Sequence, residues 1–129
     1  MVTYFKKATK TTPAIRINTA EHVFEIEGVS RPEDVRAFYG EIMPVLEKAL
    51  VEHQGINEPF LLSFKLYYFN SSSAKFIADI MVLAKETCNE GTPCTFRWHY
   101  HQDDEDMLEV GEEFSEMAGV AFHYIMIQA

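Results

Sequence analysis

The chain is poor in positive charge, with 11 Lys and Arg against 20 Asp and Glu and a net charge of −9. Nucleic-acid binding needs a basic face to neutralise phosphates, and an anionic membrane surface selects for one too, so the balance argues against both partners. Long apolar runs are missing as well: none approaches the roughly 18 residues of a membrane-spanning helix. The first dozen residues lack the apolar segment of a secretory signal, which leaves the cytoplasm as the expected location. Cysteine is confined to Cys88 and Cys94, with five residues between them and no companion pair. That is not a zinc spacing, and two reduced, partly buried thiols are expected. Internal repeats and low-complexity tracts are also absent.

What is present suits one soluble domain. A length of 129 residues with 47% hydrophobic content supports a single core and is too short for two. Residues 1–12, with Lys6, Lys7, Lys10 and several threonines, show no apolar period and read as a flexible N-terminal arm, leaving 13–129 as the domain. Ala14 to Asn18 and Val23 to Glu27 alternate as the two strands of a hairpin. Ser30 and Pro32 fit the start of a helix whose apolar residues recur at Val35, Phe38, Ile42, Val45 or Leu46, and Ala49. Pro44 interrupts that stripe and predicts a kink or a break.

Phe60 to Phe69 is almost continuously apolar and reads as a central strand covered on both faces. A second helix runs from Ser72 to about Asn89 and is closed by Gly91 and Pro93. Cys94 to Tyr100 alternates as a strand. Asp103 or Asp104 then caps a third helix carrying Met107, Val110, Phe114 and Met117, and Phe122 to Ile127 is a last strand. The order β-β-α-β-α-β-α-β implies an α/β layered domain with a mixed sheet of about five strands and three helices.

Chemistry concentrates at Asn70-Ser71-Ser72-Ser73-Ala74-Lys75, where an apolar strand runs without glycine into a helix start. A helix N-terminus leaves backbone N–H groups unpaired and favours an anion, so a serine there is either a cap or a hydroxyl placed to receive a phosphate. Ser71 or Ser72 could serve as the cap, but three hydroxyls exceed what one cap needs. Lys75 also sits where the helix dipole disfavours a cation, with Asp79 in the weaker Lys-before-Asp order. Ser72-Ser73-Ala74-Lys75 matches the S-x-x-K of penicillin-recognising enzymes, yet the Ser-Asp-Asn element and Lys-Thr-Gly strand they require are missing.

His99 and His101 share a strand face ahead of Asp103, Asp104 and Asp106, and could form a small metal site or hydrolase centre. The plainer reading is a solvated strand face followed by a helix whose first turn favours acids; no catalytic residue, metal or cofactor is expected. The carboxylate run from Asp103 to Glu116 is either a solvated helix face or a surface that steers a basic partner.

These residues together resemble the SiaC family of bacterial regulatory phosphoproteins. The likeness rests on Thr12-Pro13-Ala14-Ile15, Gly28-Val29-Ser30-Arg31-Pro32-Glu33, Tyr68-Phe69-Asn70-Ser71-Ser72-Ser73-Ala74-Lys75, Trp98-His99-Tyr100, Asp103-Asp104-Glu105-Asp106-Met107 and Gly111-Glu112-Glu113-Phe114. It covers nearly the whole chain after the arm. The resemblance implies a fold similar to anti-sigma-factor antagonist (STAS-like) domains and a non-enzymatic partner-switching role. In that family a hydroxyl directly after the strand-end Asn is phosphorylated by a dedicated Ser/Thr protein kinase and cleared by a PP2C-like phosphatase. The unphosphorylated form binds and activates a diguanylate cyclase. Carried to this sequence, the acceptor is Ser71, with Ser72 and Ser73 as alternatives; family members also carry threonine at that position. The expected partner-binding residues are Asn70, Ser72, Lys75, Asp103, Asp104 and Asp106.

Overall fold

A computed structural model describes residues 1–88 and 93–128. Six strands and three helices follow one another as β1 (Thr3–Lys6), β2 (Ala14–Asn18), β3 (Val23–Ser30), α1 (Val35–His53), β4 (Phe60–Phe69), α2 (Ser71–Thr87), β5 (Cys94–His101), α3 (Glu105–Ala118) and β6 (Phe122–Ile127). The strands lie in a single mixed sheet in sequence order. β1, β2 and β3 pair antiparallel, and β3 through β6 pair parallel with one helix in each crossover. The α/β class, the three helices and the expected hairpin all appear, with one strand more than the sequence suggested.

That extra strand comes from the segment expected to be a flexible arm. Tyr4 faces Ile17 across the β1–β2 ladder, and its hydroxyl donates to Glu41 of α1 at 2.9 Å. Lys6 reaches the same carboxylate at 3.3 Å. Four residues are too few to show an apolar period, so only these tertiary contacts reveal the strand.

Phe60, Leu62, Phe64 and Leu66 of β4 are buried, whereas Leu61, Ser63 and Lys65 are only partly so. The expectation that β4 is covered on both faces is therefore corrected. Consecutive crossovers place the helices over one face, and the other stays open to solvent. On the covered face Ile15, Ile17, Phe24, Ile26, Tyr39, Ile42, Leu46, Ile77, Ile80, Met81, Trp98 and Phe114 join one core.

Three local expectations also change. α1 runs unbroken through Pro44. Proline removes the N–H that would bond the Gly40 carbonyl, but Gly40 is exposed, so water can replace the lost donor. The cap of α1 is Asp34, whose carboxylate accepts from the Ala37 N–H at 3.0 Å, while Ser30 is the last residue of β3. Cys88 and Cys94 are not free thiols but are joined as a disulfide, with Cα atoms 5.9 Å apart. The proposed terminators Asn89 and Gly91 lie outside the described residues; α2 ends at Thr87.

The β3–β4 ladder contains a bulge that shapes the functional end of the sheet. The register runs Gly28↔Leu66 and then Val29↔Tyr68, so Tyr67 is the extra residue. Gly28 has φ +127°, a conformation that strains any residue with a Cβ. The inserted residue reverses the alternation of β4. Phe69 thus turns to the helix side, where its ring lies 5.8 Å from Phe114 and 6.4 Å from Trp98.

Candidate functional site

The serine junction is the first turn of α2, held by a polar network. Asn70 is the cap: its side-chain oxygen accepts from the Ser73 N–H at 2.9 Å, and its carbonyl accepts from the Ala74 N–H at 3.0 Å. Neither Ser71 nor Ser72 caps the helix, because the helix begins at Ser71 itself. The N–H groups of Ser71 and Ser72 come before the first intrahelical donor, the Ala74 N–H, and so have no acceptor within the helix.

The three hydroxyls then separate by burial. Ser71 and Ser72 are exposed, whereas Ser73 is fully buried. The Ser73 hydroxyl donates to the Ser30 carbonyl at 3.0 Å and accepts from the Ser30 hydroxyl at 2.8 Å. Ser30 Oγ also lies 2.5 Å from the Tyr39 hydroxyl, and the Asn70 N–H donates to the Ser30 carbonyl at 3.1 Å. Burial pushes the Tyr39 phenol above its ordinary pKa, the hydrogen bonds to the serines opposing this, so it stays a neutral hydroxyl. A buried hydroxyl with satisfied bonds is unavailable to a kinase. Ser73 is therefore removed as an alternative acceptor; it fastens the first turn of α2 to the end of β3 and to α1.

Sequence reasoning missed Ser30 and Tyr39 in this role. Ser30 had the local look of a cap, and Tyr39 is one place outside the counted apolar stripe. Nothing local signals that the two hydroxyls meet a third from residue 73.

Beside the junction, α2 and α3 flank an open apolar groove of about 550 Å³. Its floor and walls include Phe69, Ala78, Val82, Val110, Phe114 and Met117, and Lys75, Asp79 and Glu113 supply its polar positions. Met117 is 65% exposed, which is unusual for a large apolar residue on a helix flank. Helical spacing puts Ser71 on the same stripe as Ala74, Lys75, Ala78 and Val82, which line this groove, one turn before the first of them. The sequence puts Met107, Val110, Phe114 and Met117 on one face of α3; Met107 and Phe114 are buried in the core, and Val110, Phe114 and Met117 line the groove.

The acidic residues are more dispersed. Asp104 is half-buried and caps α3, accepting from the Met107 N–H at 3.0 Å. Asp103 and Asp106 are exposed beside it, and Glu105 and Asp106 occupy the first turn, where the helix dipole favours them.

His99 and His101 lie on the open face of the sheet. His99 Nε2 is 3.1 Å from Ser63 Oγ, and the His101 ring is 5.4 Å from that of Tyr67. Burial, then the nearby Lys65 and Arg97 charges, hold the His99 pKa below its ordinary value, the opposite of what an anionic cluster would do. One histidine pair was not foreseen: His22 and His53 have ring centroids 5.0 Å apart, with Glu58 Oε2 2.7 Å from His22 Nε2. Among the described residues no three His, Cys, Asp or Glu side chains converge to hold a metal ion. No helix among them is long and apolar enough to cross a membrane.

The sequence profile described as "SiaC family regulatory phosphoprotein" matches residues 6–127. The chain belongs to the SiaC family. Its fold superposes on SiaC of Pseudomonas aeruginosa with a TM-score of 0.82 and 29% identity, covering 100% of both chains. A crystal structure of diguanylate cyclase SiaD in complex with its activator SiaC, from the same organism, matches with a TM-score of 0.83 and 30% identity. That match covers 98% of this chain and 99% of the other. An uncharacterized protein of Pseudomonas aeruginosa (strain UCBPP-PA14) is 33% identical over 114 residues, 88% of each chain.

Proposed function

We propose that this SiaC-family protein is a non-enzymatic activator of a diguanylate cyclase, switched off by phosphorylation of Ser71. The observation that carries the reading is the SiaC relative solved in complex with a diguanylate cyclase as its activator, matching over nearly the full length of both chains. Membership of a regulatory phosphoprotein family supports a hydroxyl switch, and the exposed hydroxyl at the first turn of α2 is the chemically suited place for it.

In this reading the α2–α3 groove is where the cyclase docks, with Asn70 holding the junction and Ser72, Lys75 and the α3 acids at its margins. A Ser/Thr kinase transfers the terminal phosphoryl group of ATP to the Ser71 oxygen, and a PP2C-like phosphatase hydrolyses it. The phosphate adds about −1.5 to −2 charges. It meets the free N–H groups of the first turn and lies within reach of Lys75, which favours the modified form. Bulk and charge at the end of an apolar groove oppose docking. Binding changes cyclic di-GMP output, and the protein needs no catalytic residue of its own.

Kinase, ATP and mass spectrometry provide the first test: one phosphate should map to Ser71. Ser71→Ala should bind and stimulate the cyclase but resist inactivation by the kinase, and Ser71→Asp should bind more weakly. Equal binding by wild type, Ala and Asp forms would refute the switch.

A further inference from the structure

The sheet has two edges, and they differ. β1 is four residues long, ends at Lys6 with Lys7 following, and has Lys6 tied to Glu41. Short length and lysines are the usual means by which an edge strand avoids pairing with other chains. β6 has neither protection. Its sequence Phe122-His123-Tyr124-Ile125-Met126-Ile127 contains no lysine, carboxylate, proline or glycine.

The backbone of β6 offers a regular set of free groups. The Ile127 carbonyl accepts from the Gln102 N–H at 2.9 Å, so it points inward, towards the β5 side. Along a strand the direction alternates, and Phe122, Tyr124 and Met126 therefore direct both N–H and C=O outward. Their side chains are in register with Phe96, Trp98 and Tyr100, on the helix-covered face. Tyr124 and Met126 nevertheless remain 38% and 46% exposed, because nothing beyond the edge covers them.

We propose that β6 pairs antiparallel with β6 of a second copy of this chain about a two-fold axis at Tyr124. In that register Tyr124 faces Tyr124 of the second copy, and Phe122 faces Met126 in both directions. Every outward N–H and C=O of the three residues then finds a partner. On the open face His123 meets Ile125, so no like charges are opposed. An uncharged strand matches a copy of itself without needing a complementary charge, and the guarded β1 edge lets the assembly close as a dimer rather than grow into a fibre. A stable interface usually buries about 1,200–2,000 Å², more than one six-residue edge supplies. The net charge of −9 on each chain also opposes association. The dimer is accordingly weak and concentration-dependent.

Sedimentation of the full chain over a concentration series tests this directly. The wild-type average mass should climb from the monomer towards twice that value. Tyr124→Lys should hold the monomer mass at the same concentrations while keeping the wild-type circular dichroism spectrum and melting point. Opposed Cα atoms at Tyr124 would be about 5.5 Å apart, within disulfide reach. Mild oxidation should therefore cross-link Tyr124→Cys dimers but not Met126→Cys, whose neighbour is Phe122. A wild type that stays monomeric throughout overturns the proposal and leaves the edge to a strand of another protein. Undiminished association of Tyr124→Lys, or equal cross-linking by the two cysteine variants, overturns it as well.

Discussion

Substituting Gly111 by Ala tests how α3 is held against the sheet. On helix propensity alone the change should stabilise α3 by about 0.8–1.0 kcal/mol. The structure predicts the reverse. Gly111 is buried, and a Cβ there would overlap the Trp98 indole at Nε1, Cδ1 and Cε2. The indole cannot simply swing away. Its N–H donates to the Met107 carbonyl at 2.9 Å, and its rings contact Phe64, Phe69, Phe114 and Phe122. Overpacking a filled core costs about 1–3 kcal/mol. Displacing the indole from its acceptor strands a buried donor for about 1–3 kcal/mol more. After the propensity gain is subtracted, a net loss of about 1–5 kcal/mol, centred near 3, is expected. For a domain of this size that lowers the melting temperature by about 10 °C. Trp98 is the sole tryptophan, so urea unfolding followed by its fluorescence reads the loss directly. Because α3 is one wall of the groove proposed to receive the cyclase, that proposal expects cyclase binding to weaken as well. A Gly111→Ala protein that melts at or above the wild-type temperature would refute the close indole–helix contact.

The two ends of the serine run should behave oppositely. Ser73→Ala removes a buried hydroxyl bonded to Ser30 and should cost about 1–3 kcal/mol in urea unfolding, whereas exposed Ser71→Ala should stay within about 0.5 kcal/mol of wild type. Asn70→Ala deletes the α2 cap and should cost about 1 kcal/mol, with Asn70→Asp recovering most of it; equal melting points for wild type and Asn70→Ala would contradict the cap. His99 has its folded pKa below the ordinary 6.5, chiefly through burial and then through Lys65 and Arg97. The unfolded chain thus binds the proton more readily, so this contribution is present above pH 6.5 and is lost as pH falls below it. His99→Gln should flatten that part of the stability–pH profile, and an unchanged profile would count against the assignment.

Much of the architecture was legible because its signals are local. The α1 stripe from Val35 to Ala49 and the alternation of Cys94 to Tyr100 report which side of each element faces apolar neighbours. The position of Ser71 at a strand-to-helix junction follows from the apolar run before it and the helical stripe after it. Other features depended on partners far away in sequence. β1 becomes a strand only when Ala14–Asn18 lies beside it. Phe69 faces the helices only because the bulge at Tyr67 resets the alternation. Pro44 leaves its helix unbroken because Gly40 is open to water, which a periodic count cannot see.

The sequence alone determined that an almost continuously apolar strand meets three hydroxyls at a helix start, and that the chain carries the SiaC family's motifs. Both are properties of order and spacing along the chain. Tertiary structure decided which hydroxyls are free. Ser71 and Ser73 are two positions apart on one helix, nearly on opposite sides, and β3 and α1 pack against only one of them. Burial is a property of what the rest of the chain brings to a residue, so no local pattern could have separated the exposed serine from the buried one.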